Sequence, residues 1–161
     1  MKYYKIYKTP DKFDNILLES DGEYLTKLIF SNEEKNCENE AAFKEVEKWL
    51  DIYFSGVSPE FTPKYKLENL TPFCISVINE IKNIPFGETL TYGDIASSIA
   101  KKRNMKRMSA QAVGGGLNKN PICLIIPCHR IIGKNKKLVG FGGGINNKAK
   151  LLDLEKINYE V

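Results

Sequence analysis

The sequence predicts an α+β fold: a small N-terminal α/β subdomain with a short antiparallel sheet, then a mostly helical C-terminal domain. Two apolar runs flank Asp21-Gly22, a dipeptide typical of hairpin turns. In the second half of the chain, apolar residues recur mainly at helical spacing. Glycine and proline interrupt both patterns over residues 56–63. We therefore expect domains at residues 1–68 and 69–161.

The N-terminal elements follow from two periodicities. Residues 1–31 are predicted to form strands, because the runs ILLES and LTKLIF lie on either side of the turn. The segment NEAAFKEVEKWLDIYF has Phe43, Val46, Leu50 and Tyr53 at helical spacing, with charged residues between them. It predicts one amphipathic helix that completes the subdomain.

Capping signals predict three helices in the second domain. Thr71 supplies an N-cap and Pro72 a proline at the first helical position. Thr91 and Asp94 have the spacing of a capping box. Ser109 is expected to cap a third helix, AQAVGGGLNKN. Each of its three consecutive glycines costs a helix about 1 kcal/mol relative to alanine, so we expect something to approach this backbone closely.

A basic segment, KKRNMKR at residues 101–107, joins the second and third of these helices. Two helices with such a turn, the second lined with small residues, predict a helix-turn-helix, which we expect to be of winged-helix type. Residues 95–152 hold 12 Lys/Arg and no acid, whereas residues 1–94 hold 11 Lys/Arg and 17 acids. This asymmetry favours a nucleic-acid partner. A solvated basic face without a partner is the alternative.

The only histidine stands in IIPCHRIIG, residues 125–133, directly after Cys128. We expect the longer run PICLIIPCHRIIG to form a short buried strand that Pro127 breaks. A last helix is expected from about Asn147 to Ile157.

Cys128 and His129 together suggest nucleophilic chemistry. A free thiol is mostly protonated near pH 7, so a reactive one needs a base or a positive field. Neighbouring side chains of an extended chain point to opposite sides, so His129 could serve only if Pro127 makes a turn, with a water as the bridge. The imidazole also needs an orienting acceptor, for which Glu155 is the candidate. The alternative is a satisfied core His129 and a solvent-facing Glu155.

The remaining cysteines, Cys37, Cys74 and Cys123, are each expected to be small buried hydrophobes. With no CxxC pair and one histidine, the chain predicts no metal site. No apolar run approaches the ~20 residues that span a bilayer. The N-terminus also lacks the apolar stretch of a signal peptide. We therefore expect no membrane partner and a cytoplasmic, nucleoid-associated protein.

The segments NPICLIIPCHRIIG, FGGG and LLDLE, in this order, resemble the DNA alkyltransferases that repair O6-alkylguanine. The resemblance extends upstream through IPFGETLTYGDIA and MSAQAVGGGLNKNP and covers residues 72–157. The first 70 residues resemble the family's variable first domain only loosely. The resemblance implies direct-reversal DNA repair: the protein would bind duplex DNA from the minor-groove side, flip the damaged guanosine and move its alkyl group to a cysteine.

The same resemblance implies a role for each residue of the reactive centre. Cys128 would be the nucleophile and alkyl acceptor, His129 would take its proton through a water, and Glu155 would orient His129. Asn120 would hold the turn that carries Cys128. Tyr92 would crowd the target phosphate and donate its hydroxyl to the guanine ring as charge leaves.

Further residues would bind the guanine or the DNA. The carbonyls of Cys128 and Ile131 would accept the exocyclic amine, the backbone of Gly142 would donate to O6, and Arg130 would be a structural ion-pair residue. Small residues would bring the recognition helix close to the sugar-phosphate wall: Ala110, Ala112, Gly114, Gly115 and Gly116. Basic residues of the preceding segment would contact DNA: Lys101, Lys102, Arg103 and Arg107.

Two positions depart from the family pattern. Gln111 stands where many members have an arginine that fills the gap left by the flipped base, so DNA affinity would depend more on the basic loop 101–107. Phe141 replaces a common tyrosine at the pocket wall and should affect substrate preference more than chemistry. Gly142 and Gly143 predict a pocket roomy enough for larger O6-alkyl groups.

The product would be a stable thioether, so the protein would act once, as a monomer, without a metal or organic cofactor. Three alternatives stay open at this point. One is a non-catalytic protein that binds alkylated DNA, another is a helix-turn-helix regulator, and the third is a cysteine hydrolase that turns over repeatedly.

Overall fold

A computed structural model of the chain describes residues 1–10, 13–140 and 144–161. Its contacts divide the chain into two units, Met1–Glu68 and Asn69–Val161. The predicted α+β class is confirmed, since the first unit contains an antiparallel sheet and the second is mostly helical. Within the described ranges, no helix has the length and apolar character needed to cross a membrane.

Three strands form the sheet of the first unit: β1 (Tyr3–Tyr7), β2 (Ile16–Ser20) and β3 (Leu25–Phe30). They pair antiparallel in the order β1-β2-β3, and β2 is the most buried because it has a neighbour on each side. The predicted hairpin is confirmed. Gly22 adopts the left-handed φ of 102° that the turn requires, and Asp21 Oδ1 accepts hydrogen bonds from the two backbone N–H groups that follow it.

The predicted amphipathic helix is also confirmed. It begins with a 3₁₀ turn at Glu40–Phe43 and continues as α1 (Lys44–Phe54). Trp49 and Tyr53 are buried on its apolar face and stack on each other, with ring centroids 5.4 Å apart. At the end of the helix, the Phe54 ring contacts a β1 tyrosine, which fixes the helix against the sheet.

The second unit is built around α2 (Pro72–Ile81), α3 (Tyr92–Lys102) and α4 (Ala110–Leu117). Their mutual contacts bury one apolar core, formed by Val77, Ile78, Ile81, Ile95, Ile99, Val113 and Leu117. The two helices predicted as a helix-turn-helix are α3 and α4. The exposed segment 103–109 joins them.

All three predicted caps are confirmed. Thr71 Oγ1 accepts a hydrogen bond from the third backbone N–H that follows it, at 3.2 Å. Thr91 and Asp94 form the complete capping box, with bonds of 3.0 and 2.9 Å. Ser109 Oγ accepts from two backbone N–H groups of α4. These bonds satisfy first-turn donors that have no partner within the helix.

The predicted buried strand before Pro127 is wrong in form. The chain turns back on itself, with Leu124 at a φ of 69° and a hydrogen bond from Ile126 N to Ile122 O at 3.0 Å. A 3₁₀ turn, Cys128–Arg130, follows Pro127. A strand interior cannot hold Pro127, because proline has no N–H for the ladder.

Only two residues beyond this turn are extended. They form β5 (Ile131–Ile132), which pairs in parallel with β4 (Leu90–Thr91) just before α3. This pairing ties the segment after the 3₁₀ turn to the start of the helix-turn-helix.

The last helix, α5, spans Ile145–Leu154 rather than about 147–157. Glu155 is its C-cap residue, and Lys156 has a left-handed φ of 59°. A residue in this conformation ends a helix, so the predicted continuation to Ile157 is wrong.

Candidate active site

The turn that carries Cys128 buries three consecutive polar or reactive side chains. Cys128, His129 and Arg130 are 6%, 0% and 7% exposed. Pro127 gives the turn its start, and Cys128 N donates to Ile126 O at 2.8 Å. A 3₁₀ turn has three residues per turn, so neighbouring side chains are not forced to opposite faces as they are in a strand. The predicted turn at Pro127 is therefore confirmed.

Glu155 holds this turn from α5. His129 Nε2 lies 2.6 Å from Glu155 Oε2, and Arg130 donates to the same carboxylate from Nε at 2.8 Å and from Nη2 at 3.1 Å. Gly87 N adds a fourth bond to Oε1 at 2.9 Å. Arg130 Nη1 donates to Ile84 O at 2.7 Å, which completes the guanidinium's contacts with the interior. Glu155 is 4% exposed, so the alternative of a solvent-facing carboxylate is wrong.

This arrangement fixes the charges of the acid and the imidazole. Burial raises the pKa of Glu155, but the hydrogen bonds and positive charges of His129 and Arg130 outweigh burial and bring it down to about 2. Burial lowers the pKa of His129, against the opposing bond and charge of Glu155. The ring is therefore neutral near pH 7, with its proton on Nε2 toward Glu155. Its basic nitrogen is Nδ1.

Cys128 lies among groups that favour its anion. A hydrogen bond from the Cys123 thiol lowers the pKa of Cys128 most. Burial opposes this effect, and the Asn120 side chain and the charge of Lys148 lower the pKa further. The net result is a thiol that ionises more readily than free cysteine, as a nucleophile requires.

Asn120 shapes the turn before Cys128. Its Nδ2 donates to Ile126 O and its Oδ1 accepts from Ile122 N, both at 3.0 Å. The side chain is buried and spans the reversal of the chain at residues 122–126. Asn120 thus holds both ends of the segment that leads into Cys128.

Lys148 is a site residue that sequence reasoning missed. Its side chain is fully buried, and Nζ donates to Ile131 O at 2.5 Å and to Val139 O at 3.1 Å. It also lies 5.6 Å from the centre of the Tyr92 ring. Burial lowers the pKa of Lys148 to about 8, against the opposing pull of the Cys128 charge.

The sequence did contain a signal for this lysine. On α5, the spacing i, i+3, i+4 and i+7 places Lys148 on the same face as Leu151, Leu152 and Glu155. A lysine on an otherwise apolar helix face needs acceptors, and the two carbonyls supply them.

Comparison with known proteins decides the family. The model of the family described as 6-O-methylguanine DNA methyltransferase, DNA binding domain, matches residues 72–157. A methylated-DNA--protein-cysteine methyltransferase of Methanosarcina acetivorans is 41% identical over 160 residues, covering 95% of this chain and 97% of that protein. This chain belongs to the O6-methylguanine DNA methyltransferase family.

Solved structures agree with this membership over almost the whole chain. An O6-methylguanine methyltransferase of Mycobacterium tuberculosis has a TM-score of 0.81 and 35% identity, covering 97% of this chain and 93% of that one. A structure of Mycobacterium tuberculosis OGT in complex with DNA has a TM-score of 0.79 and 36% identity, covering 95% and 92%.

In this family member, a cleft of about 360 Å³ lies beside the recognition helix α4. Its described lining residues are Tyr92, Ala110, Gln111, Gly114, Asn118, Val139 and Gly140. The Tyr92 hydroxyl donates to Gly140 O at 3.0 Å. Burial and the negative charge of Cys128 raise the pKa of Tyr92, so the phenol keeps its proton and can donate it. Tyr92 thus links the cleft to the thiol.

Several predicted contact residues lie elsewhere. Ala112 and Gly115 are exposed on α4 outside the lining of this cleft. The Ile131 carbonyl, predicted to accept the guanine amine, already accepts the Lys148 ammonium, although a carbonyl oxygen has two lone pairs and can take a second donor. Phe141 and Gly142 lie outside the described residues.

The basic segment divides into two groups. Lys102 Nζ donates to Glu80 at 2.7 Å, and Arg103 Nη2 donates to Ser76 Oγ at 2.9 Å, so both side chains are drawn toward α2. Lys101 and Arg107 are exposed and line a second cleft of about 430 Å³ at the turn of the helix-turn-helix. Among the described residues, no group of three or more His, Cys, Asp and Glu side chains could hold a metal ion.

Proposed function

We propose that the protein repairs O6-alkylguanine in duplex DNA by moving the alkyl group to Cys128 Sγ, once per molecule. The observation that carries this proposal is the buried series Cys128–His129–Glu155, which combines an activated thiol, a neutral imidazole and an orienting carboxylate. Family membership supplies the substrate class, because the relatives are named for methylated DNA and protein cysteine.

The reaction follows from these groups. His129 Nδ1 takes the thiol proton through a water, and the Cys128 thiolate attacks the alkyl carbon. An S–C bond forms as the C–O6 bond breaks, and the electron pair leaves on the guanine. The Tyr92 hydroxyl donates toward the guanine ring and stabilises that charge. The thioether is stable, so the protein is consumed.

Substrate access requires base flipping, because O6 lies inside the stacked duplex. The helix-turn-helix of α3 and α4, of winged-helix type, would approach the minor groove through α4. Gln111 and the small residues Ala110 and Gly114 line the cleft that would meet the extruded nucleotide. Guanine would be selected by the carbonyls of Cys128 and Ile131.

Electrostatics supports DNA as the partner. Lys101 and Arg107 are exposed at the turn between α3 and α4, and residues 95–152 carry no acid. We propose a monomer that works on chromosomal DNA in the cytoplasm, with no membrane partner.

A label-transfer assay tests the proposal. The protein is mixed with duplex DNA that carries radiolabelled O6-methylguanine, and the label is mapped by peptide mass. One equivalent on Cys128 supports the proposal, and label on another residue or none defeats it. Repeated turnover would instead indicate a hydrolase. Cys128→Ser should bind DNA without transfer. A variant that still accepted the methyl group would rule out Cys128 as the acceptor.

Substrate scope is measured in the same assay with O6-ethyl and O6-benzyl adducts. We expect transfer of both, because the sequence predicts a roomy pocket at residues 142–143. Transfer of methyl alone would contradict this part of the proposal.

A further inference from the structure

A second thiol lies against the proposed alkyl acceptor. Cys123 and Cys128 are both 6% exposed, and their side chains share a hydrogen bond. Cys123 Sγ is also 3.9 Å from Asn120 O, while the Asn120 side chain bonds to Cys128. The proposed repair reaction needs one sulfur only, so the second one calls for an account.

The backbone brings the two sulfurs together over a short loop. Ile125 N donates to Cys123 O at 2.8 Å, Leu124 takes a left-handed φ, and Cys123 forms a parallel bridge with Ile126. The chain therefore reverses directly after Cys123, and Cys128 returns beside it five residues later. Closing such a short loop costs little chain entropy beyond what the native turn has already paid.

The two thiols have opposite character. The hydrogen bond that lowers the pKa of Cys128 raises the pKa of Cys123, and burial raises the latter further. The pair thus shares one proton, which resides on Cys123. A thiolate that is easily formed is also the form that peroxides oxidise, and a neighbouring thiol is the group that captures the product.

We propose that Cys123 and Cys128 are a redox-active pair, in which Cys123 captures oxidised Cys128 as an intramolecular disulfide. A peroxide transfers one oxygen to the Cys128 thiolate, giving a sulfenic acid and hydroxide. The Cys123 sulfur then attacks the sulfenic sulfur, an S–S bond forms, and the Cys123 proton leaves with the hydroxyl as water. Two electrons pass from the two thiols to the peroxide.

This pair would protect a protein that acts only once. Without a second thiol, further oxidation of Cys128 leads to a sulfinic acid, which cellular thiols do not reverse. A disulfide can be reopened by a dithiol reductant, which restores both thiols. The protective consequence rests on the proposed role of Cys128 as the acceptor, whereas disulfide formation itself does not.

The test is oxidation of the full-length protein with hydrogen peroxide, followed by peptide mass spectrometry. We expect one Cys123–Cys128 disulfide, a mass lower by two hydrogens, and loss of transfer that a dithiol reductant restores. Cys123→Ser should instead gain oxygen atoms on Cys128, and its recovery, relative to its own reduced activity, should be ~10-fold lower. Cys74→Ser, another buried thiol of the same unit, is the matched control and should behave like the unchanged protein.

A second measurement covers the case in which Cys123→Ser does not fold. A reagent that traps sulfenic acids is added to the unchanged protein during oxidation. Brief trapping that gives way to the disulfide supports the pair. A lasting sulfenic adduct, a sulfinic Cys128, or a disulfide with a different cysteine would overturn it. Alkyl transfer by the reduced protein is scored separately, so failure of the redox proposal and failure of the repair proposal give different results.

Discussion

The carboxylate of Glu155 lies 2.6 Å from Nε2 of His129, and both side chains are fully buried. The same carboxylate accepts two bonds from Arg130. Glu155 therefore has two tasks: it sets the imidazole so that Nδ1 faces the thiol side, and it neutralises a buried guanidinium.

Glu155→Gln separates charge from shape at this position. The amide keeps the volume but leaves Arg130 without a buried counter-charge, so we expect a loss of about 3–5 kcal/mol in the free energy of unfolding. Transfer should slow by ~10²-fold or more, because the base is no longer oriented or stabilised. Denaturant unfolding and single-turnover transfer to Cys128 measure the two effects. Asp153→Asn, an exposed change two residues earlier, should alter neither. Unchanged transfer in the Glu155 variant would remove it from the mechanism.

The same contact predicts sensitivity to acid. Glu155 has a pKa of about 2 in the folded chain. An unfolded glutamate titrates near ~4.3, so the unfolded state binds the proton first as pH falls. The stabilisation is complete above the unfolded value and is lost as pH falls toward 2, by about 3 kcal/mol in total. Unfolding free energies at pH 6, 4 and 3 should show this decline, and it should be smaller in Glu155→Gln. Equal declines in both proteins would assign acid sensitivity to other groups.

Local signals predicted much of this fold, and long-range contacts explain where prediction stopped. The caps at Thr71, Thr91 and Ser109 could be predicted because each depends on residues within four positions. The reversal at Leu124 could not, because an apolar run of that length fits a buried strand equally well.

The candidate site shows the same division. Pairing of Glu155 with His129 could be expected, since a carboxylate on an apolar helix face needs a partner. Lys148 and Cys123 were missed because their partners, Ile131 O and Cys128 Sγ, are brought to them only by the completed turn. Nothing in the local pattern around either residue specifies those contacts.

Lys148→Met tests the charge beside the thiol. Methionine fills similar space but removes the ammonium that lowers the pKa of Cys128. The thiol should then ionise at higher pH, so transfer near pH 7 should fall by ~10-fold and recover as pH rises. The pH dependence of the transfer rate checks this, with Lys150→Met on the same helix as control. A uniform loss at every pH would indicate that Lys148 acts only through its bonds to Ile131 O and Val139 O.

The basic segment should contribute unequally to DNA binding. Lys101→Ala and Arg107→Ala remove exposed charges, and each lost phosphate contact should reduce the slope of log affinity against log salt by ~0.9. Lys102→Ala should have a smaller effect, because this side chain is already paired with Glu80. Fluorescence anisotropy with undamaged duplex over a salt series measures the slopes. Equal changes for all three variants would mean that Lys102 leaves Glu80 when DNA binds.

Two adjacent glycines of α4 should respond in opposite directions to the same substitution. An added Cβ at Gly116 would lie 2.9 Å from Val77 Cγ2, so Gly116→Ala must push α4 away from α2 and should cost about 1–3 kcal/mol of unfolding free energy. At Gly115 nothing lies within 4 Å of the added methyl group, and alanine should stabilise the helix by up to about 1 kcal/mol. If α4 approaches the sugar-phosphate wall closely, Gly115→Ala should nevertheless weaken DNA binding. A stabilised Gly115→Ala protein with unchanged affinity for DNA would show that this face of α4 does not meet the duplex.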